Sequence, residues 1–577
     1  MKELSIEQSS VALVGDINDN LQEIGSDSRV AVTMSASELI SVLNAAFADV
    51  DGKRILSVDD NAATFISNLN VDFALAAQGA SVIDAFDGSV YENEMADTIT
   101  KVNALKNNAD LILMVSTDLH HERNLYKEVV RNGTAYQVPL RNGITDVAQY
   151  PDTFSPMMSN HKEFLKRAAA NGITVDGIAN LGDWFDGHRV DYVVSGETIM
   201  SAEDIITEYI GRMIRPYNEL KSKYSVPLIF ALGNHDDNVD EKKGYVPSSF
   251  SELYGWFLNG NVVPTGSCVA SSGLDYYIDY AAAKIRVVVL FCEESLSFSS
   301  SQDYRLPDAN NWNIPSKSVA YLKDCVNGLE SDGKGDYKVL ILSHTHPSMG
   351  RGTQYYQNPG DSGYGTVEFM KYVGEHTDKI IGHLCGHNHS DGGYSYPVMS
   401  FRLLCGKSYS SCQHNDGKDL WSVVAIDTNA KIINIIRFGG TISSSNRSGV
   451  DFIMHYGQPV PDTAGGNTYT FAANLQRIGY VLYWGVGASS WCGWGYRSDV
   501  SNGSYGGLAE TSAPYYSLDA ENQLKTDHQQ GYGVTSFTVT AIPSANNTDH
   551  PQCLLIYVVG TLATEYWRIE IPKQSNS

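Results

Sequence analysis

Leu111-Ile112-Leu113-Met114-Val115-Ser116-Thr117-Asp118-Leu119-His120 is an apolar run that ends in an acid and, two residues on, a histidine. A short apolar run bounded by polar residues reads as a buried strand. Asp118 and His120 then lie just past its carboxyl end. The same grammar recurs four times. Val175 to Leu181 leads into Gly182-Asp183, and Pro227 to Leu232 into Gly233-Asn234-His235-Asp236. Tyr337 to Leu342 leads into Ser343-His344-Thr345-His346-Pro347, and Lys379 to Cys385 into Gly386-His387-Asn388-His389. Oxygen and imidazole donors at five strand ends amount to ligands for two divalent metals, with a histidine to spare.

Between these strands the periodicity changes to helical. His161 to Ala170, stopped by Asn171-Gly172, Ala202 to Lys223, Ser318 to Leu329 and Val367 to Glu375 read as helices. Ile285 to Phe291 is a further strand, and segments 395–405, 421–426 and 432–438 close the domain. Strands alternating with helices make packed sheets covered by helices, with ligands bound beyond the carboxyl ends of the strands. Segments 123–156 and 350–365 have weak periodicity and read as loop insertions beside the site.

A chain of 577 residues exceeds one ordinary core and implies two to four domains. A hydrophobic content of 42% with 19% charged residues excludes a disordered chain. The formal net charge of −25 disfavours non-specific nucleic-acid binding, which needs a basic surface. It leaves phosphate substrates open, because bound metals dominate the field in their own cleft. The start, Met1-Lys2-Glu3-Leu4-Ser5-Ile6-Glu7, has no signal-peptide pattern, and no apolar run is long enough for a membrane span. The expected location is cytoplasmic or within a virion. Eight scattered cysteines without a CxxC pair read as reduced thiols.

Residues 1–108 read as a helical or mixed attachment domain, with a capping box at Ser35 and Glu38 and a second helix from Met95 to Lys106. Residues 109–445 carry the motifs. Residues 459–577 are rich in Gly, Tyr and Trp and read as a β-sandwich-like domain. Its cluster of Tyr483, Trp484, Trp491, Trp494 and Tyr496 suits either a small β core or contact with a glycan or partner.

The motif series resembles the calcineurin-like metallophosphoesterase superfamily over roughly residues 109–440. The resemblance implies a four-layer α/β/β/α sandwich and hydrolysis of phosphate esters, diesters slightly ahead of monoesters. It implies two divalent ions, Mn, Zn or Fe, and a metal-bound hydroxide as nucleophile. Asp183 would bridge the ions, because two dications need an anion between them. Asp118, His120 and His389 would complete one shell, and Asn234, His344 and His387 the other. Asn234 and His235 would meet the phosphate, His235 would also act as the catalytic histidine, and Asp236 would orient His235. His344 directly follows its strand and is favoured over His346, which becomes a substrate contact at the rim. Asp186 reads as a neighbour of the ligands, and His121 and His188 as surface histidines at the cleft edge. The modular layout also suits a phage-tail or surface-displayed protein acting on a phosphate-containing envelope polymer, with a cell-surface glycan or virion partner for its C-terminal domain. A third reading is a binding module that keeps the fold without the catalysis.

Overall fold

The apolar run 111–116 is a strand buried at all six positions, as the central strand of a covered sheet must be. The computed structural model describes residues 10–23, 31, 34–46, 56, 65–66, 68–70, 82–120, 126–139, 154–185, 189–233, 235–236, 250–265, 274–291, 314, 316–345, 366–387, 389, 392–395, 399–402, 419–440, 449–466, 468–472, 477–487, 491–498, 516–518, 536–541, 552–559 and 563–571. They form two compact units, Met1–Asp84 and Ala85–Ser577.

In the first unit, α1 (Ser10–Glu23) and α2 (Ala36–Ala46) share a core of Ile17, Leu21, Leu43, Leu56, Ile66 and Leu69. The expected capping box is formed. Ser35 N–H donates to Glu38 Oε2 (2.8 Å), and Glu38 N–H donates to Ser35 Oγ (3.3 Å).

The second unit opens with α3 (Gly88–Leu105), capped by the Asp87 carboxylate on Ser89 N–H. Then come β1 (Leu111–Ser116), the hairpin β2 (Tyr126–Arg131) and β3 (Thr134–Pro139), α4 (Phe154–Ala170) and β4 (Gly177–Asn180). The hairpin β5 (Tyr192–Val194) and β6 (Glu197–Met200) precedes α5 (Ala202–Tyr224) and β7 (Leu228–Phe230). Next are β8 (Tyr276–Tyr280), β9 (Ile285–Leu290), α6 (Ser316–Ser331), β10 (Lys338–Ser343), α7 (Thr366–Glu375) and β11 (Ile380–Cys385). They are followed by β12 (Gly392–Ser395), β13 (Met399–Arg402), β14 (Leu420–Asp427), β15 (Ile432–Gly439) and β16 (Asp451–His455). The remainder is all β: β17 (Thr468–Ala472), β18 (Arg477–Gly487), β19 (Trp491–Ser498), β20 (Tyr516–Leu518), β21 (Ser536–Ala541), β22 (Gln552–Val559) and β23 (Ala563–Ile571).

A ten-stranded sheet runs β19-β18-β22-β23-β16-β15-β14-β1-β4-β7, and a six-stranded sheet runs β12-β13-β11-β10-β9-β8. β1, β4 and β7 are parallel neighbours, as are β9, β10, β11 and β13. On the ten-stranded sheet, Phe164 of α4 packs on Trp421 (ring centroids 5.4 Å) and Tyr217 of α5 on Phe230 (5.3 Å). On the six-stranded sheet, Val319, Leu322 and Leu329 of α6 and Phe369 and Val373 of α7 share a core with Val288, Val339 and Ile341. Between the sheets, Tyr276 Oη accepts Phe230 N–H (2.7 Å) and donates to Phe230 O (3.0 Å). The order is helix, sheet, sheet, helix, the expected four layers.

Two features bear on the domain layout. The compact units divide between Asp84 and Ala85. The reason is the stripe Tyr91, Met95, Thr98, Ile99 and Val102, which α3 buries in the second unit. Tyr91 stacks near Phe438 (5.9 Å), and Lys101 pairs with Asp451 (2.8 Å). At the other end, β23 pairs in parallel with β16, so β18, β22 and β23 continue the large sheet. Within the 123–156 insertion, β2 and β3 form a hairpin turned at Asn132 and Gly133, whose φ angles are 50° and 75°. The Asn-Gly pair is the signal that marks such a turn. Segment 350–365 lies outside the described residues. Cys325 and Cys385 are buried free thiols, as expected. Among the described residues no helix is long and apolar enough to cross a membrane.

Met95 is fully buried and Val90 is 44% exposed on the same helix. Met95→Ala should therefore lower stability by about 2–5 kcal/mol, and Val90→Ala by less than about 0.5 kcal/mol, in denaturant unfolding. A second test concerns Asp279. Burial opposes its ionisation, but hydrogen bonds from Arg286 and Lys334 outweigh burial and hold it below the usual carboxylate range. A depressed folded pKa gives stability that is present above the unfolded value of about 3.9 and is lost as pH falls through the folded value. Asp279→Asn should lower the urea midpoint at neutral pH and flatten its decline in acid.

Candidate metal centre

The five motifs meet because their strands do. β1, β4 and β7 end side by side in one sheet, and β10 and β11 end side by side in the facing sheet. Backbone bonding continues past the strand ends. Leu181 N–H donates to Ser116 O, Asp118 N–H to Gly182 O and His120 N–H to Asp183 O, each at 2.9 Å. Across the other pair, Gly386 N–H donates to His344 O (2.8 Å).

Such close approach needs small residues and unusual backbone. A Cβ on Gly386 would stand 1.9 Å from Thr117 Oγ1 and 2.2 Å from Asp118 Oδ2. Gly182 has φ +101°, and a Cβ there would stand 2.5 Å from Gly233 N. Left-handed backbone is rare outside glycine. Asp118 (49°), His120 (41°), Asp183 (53°), His387 (73°) and His389 (53°) all adopt it. Strain of this kind gathers where side chains are aimed at a ligand.

Their donor atoms converge. Among the described residues, three groups lie close enough to hold a metal ion: Asp118, His120 and His389; His120, Asp183 and His235; and Asp183, His344 and His387. His120 Nε2 is 2.9 Å from His389 Nε2, and His387 Nδ1 is 3.2 Å from His344 Nε2. Two imidazole nitrogens at such range share a proton or hold a cation between them. The residues thus fit a divalent metal pair. Asp183 Oδ2 is 3.1 Å from His344 Nε2 and 3.4 Å from His120 Nε2, so one carboxylate belongs to two of the groups.

The structure places His344 in the cluster. It is fully buried, and its Nδ1 lies 3.0 Å from Leu181 O. Only a protonated Nδ1 can bond a carbonyl, which turns Nε2 toward Asp183. Asn234, His346, Asp186, His121 and His188 lie outside the described residues.

Asp236 also has a role in holding the backbone. It is fully buried and accepts three backbone N–H groups, from Gly233 (2.7 Å), Asp183 (2.9 Å) and Trp184 (2.8 Å). This ties the β4 loop to the β7 loop. His235 has a 30% exposed side chain, with Nε2 4.0 Å from Asp183 Oδ2 and its N–H on Asp183 Oδ1 (3.0 Å).

Charge follows geometry. Burial opposes ionisation of Asp118 and Asp183, yet both carboxyls are held below the usual range, Asp118 by His389 and His344 and Asp183 by His344 and His235. Burial and the Asp183 charge push Asp236 up. Burial works against charging His344, but Asp183 and Asp118 raise it to about 9. Burial pushes His387 down to about 3.

Sequence reasoning missed the residues that hold the ligands. Thr117 Oγ1 donates to Asp118 Oδ2 (2.7 Å), and His387 N–H donates to both Asp118 oxygens (2.9 Å each). Thr117 sits beside a motif and could have been flagged. The backbone donors carry no sequence signal.

The family model for calcineurin-like phosphoesterase matches residues 111–391. Among solved structures, the chain is similar to a dimetal phosphatase from Danio rerio at 13% identity, over 60% of this chain and 100% of that one, with a TM-score of 0.37. It is also similar to a protein provisionally assigned as a 5′-nucleotidase from Staphylococcus aureus, solved in complex with α-ketoglutarate. There the identity is 12%, over 55% of this chain and 51% of that one, with a TM-score of 0.30. No curated protein matches.

Removing Asp236 leaves three buried N–H groups unpaired, at about 1–3 kcal/mol each. Asp236→Ala should thus lower unfolding stability by several kcal/mol, whereas His235→Ala should change it by less than about 0.5 kcal/mol. An Asp236→Ala protein of unaltered stability would return Asp236 to a purely catalytic role.

Proposed function

We propose that this chain, a phosphoric ester hydrolase belonging to the calcineurin-like phosphoesterase family through residues 111–391, works with two divalent metal ions and takes phosphodiesters ahead of monoesters. The observation that carries the metal pair is the double membership of Asp183, whose carboxylate faces His120 on one side and His344 on the other. Asp118, His120 and His389 would hold one ion; His344 and His387 would hold the second with Asn234, and Asp183 would lie between. When bound, such a pair makes hydroxide available near neutral pH and neutralises charge on the phosphate.

The remaining work falls to side chains. His235 stands at the open edge of the cluster, with its ring edge-on to His120 (4.9 Å). From there it meets the phosphate or gives a proton to the leaving oxygen. Asp183 fixes His235 through the backbone, because Oδ1 accepts the His235 N–H. Asp236 acts earlier in the chain of support by holding the loop of Asp183. A diester carries one negative charge where a monoester dianion carries two, so it would need less neutralisation from the ions.

The test is turnover of bis-p-nitrophenyl phosphate against p-nitrophenyl phosphate after loading with Mn²⁺, Zn²⁺ or Fe²⁺. The diester should show the higher kcat/KM. His387→Ala should abolish turnover together with part of the bound metal. His235→Ala should lower kcat about 10²–10⁴-fold with metal content unchanged. No bound metal by elemental analysis and no turnover with any ion would overturn the reading.

A further inference from the structure

His383, in β11, is buried (2% exposed) and belongs to none of the metal-binding groups. Its Nε2 lies 2.6 Å from Ser343 Oγ, and Ser343 Oγ lies 2.6 Å from Thr345 O. The proton inventory decides the direction of both bonds. A carbonyl oxygen only accepts, so the Ser343 hydroxyl donates to Thr345 O. With its one proton committed, Ser343 Oγ accepts from His383, which makes His383 the Nε2–H tautomer. Burial pushes the imidazole down to about 3, so the ring stays neutral. Phe369 packs against it edge-on (5.6 Å).

The location gives this relay its meaning. β10 and β11 are parallel neighbours, with Ile341 beside His383. β10 ends at Ser343, one residue before His344, and β11 ends at Cys385, two residues before His387. His344 and His387 belong to one metal-binding group with Asp183. The Ser343 bond to Thr345 O closes the turn that contains His344. The His383 bond joins that turn to the strand that leads to His387.

We infer that Ser343 and His383 are positioning residues for the Asp183–His344–His387 metal site, setting the turn and strand spacing from which its two imidazoles project. The inference rests on the metal-centre reading above. It assigns the relay to one ion of the pair, because the Asp118–His120–His389 group takes two of its three members from the β1 loop.

The experiment is titration of the metal-free full-length protein with Mn²⁺, followed by the EPR signal of the free ion. Wild type should bind two ions. Ser343→Ala and His383→Leu should keep one site at wild-type affinity and weaken the other by about 10–100-fold. His383→Gln keeps an N–H donor and should recover most of the loss. Thermal unfolding of each metal-free variant shows whether the fold is intact, and Ser343→Ala decides the matter if His383→Leu fails to fold. Two sites of wild-type affinity in folded Ser343→Ala would overturn the positioning role alone. A wild-type protein that binds no Mn²⁺, Zn²⁺ or Fe²⁺ would overturn the metal centre with it.

Discussion

The Asp236 carboxylate, with no exposure to solvent, accepts the backbone N–H groups of Gly233, Asp183 and Trp184. The rest of the site depends on that knot. Left-handed backbone at Asp118, His120, Asp183, His387 and His389 is unfavourable for each residue alone. It persists only where surrounding bonds over-determine it. Asp236 supplies them for the β4 and β7 loops, and Asp118 does the same for the β11 loop by accepting His387 N–H on both oxygens. Carboxylates therefore act here in two ways, some aimed at the metals and some at the amides that aim the others.

Parallel strand order is the second constraint. Loops that leave the carboxyl ends of neighbouring parallel strands emerge on one side of a sheet, so β1, β4 and β7 present their motifs together. β10 and β11 do so in the facing sheet. Helices α3, α4, α5, α6 and α7 cover the outer faces and leave the strand ends open. α3 belongs to this arrangement although it precedes the first motif, because its buried stripe completes the cover of β14 and β15.

Much of this was legible in the sequence for a physical reason. A metal ligand is a side chain, and its type is written at its position: Asp118, His120, Asp183, His344, His387 and His389 were all marked, and they converge. Buried parallel strands are equally legible, since β1, β9 and β11 are apolar or buried throughout. What stayed hidden was partnership. Asp236 beside His235 suggests a side-chain pair, and nothing in the sequence shows that three backbone N–H groups also bind the carboxylate. The β2–β3 hairpin was missed because its strands are half-exposed and weakly patterned, although Asn132-Gly133 named its turn. What covers α3 stayed hidden as well, because an amphipathic stripe shows that a helix is covered without showing by what.

The centre also joins the two sheets, and this ties chemistry to stability. Asp118, His120, Asp183 and His235 come from the ten-stranded sheet, and His344, His387 and His389 from the six-stranded one. Among the described residues, the polar contacts that cross there include His344 Nδ1 to Leu181 O, His344 to Asp183, His387 N–H to Asp118, His389 to Asp118 and His120, and, farther off, Tyr276 to Phe230. Around them, imidazoles and carboxylates of unlike and like charge face one another across the seam. Ions held by both sides would draw these groups to a common centre. A ligand that binds only the closed arrangement stabilises it by mass action. With ions bound, the sheet interface and the metal centre would form one thermodynamic unit, and loss of either would loosen the other.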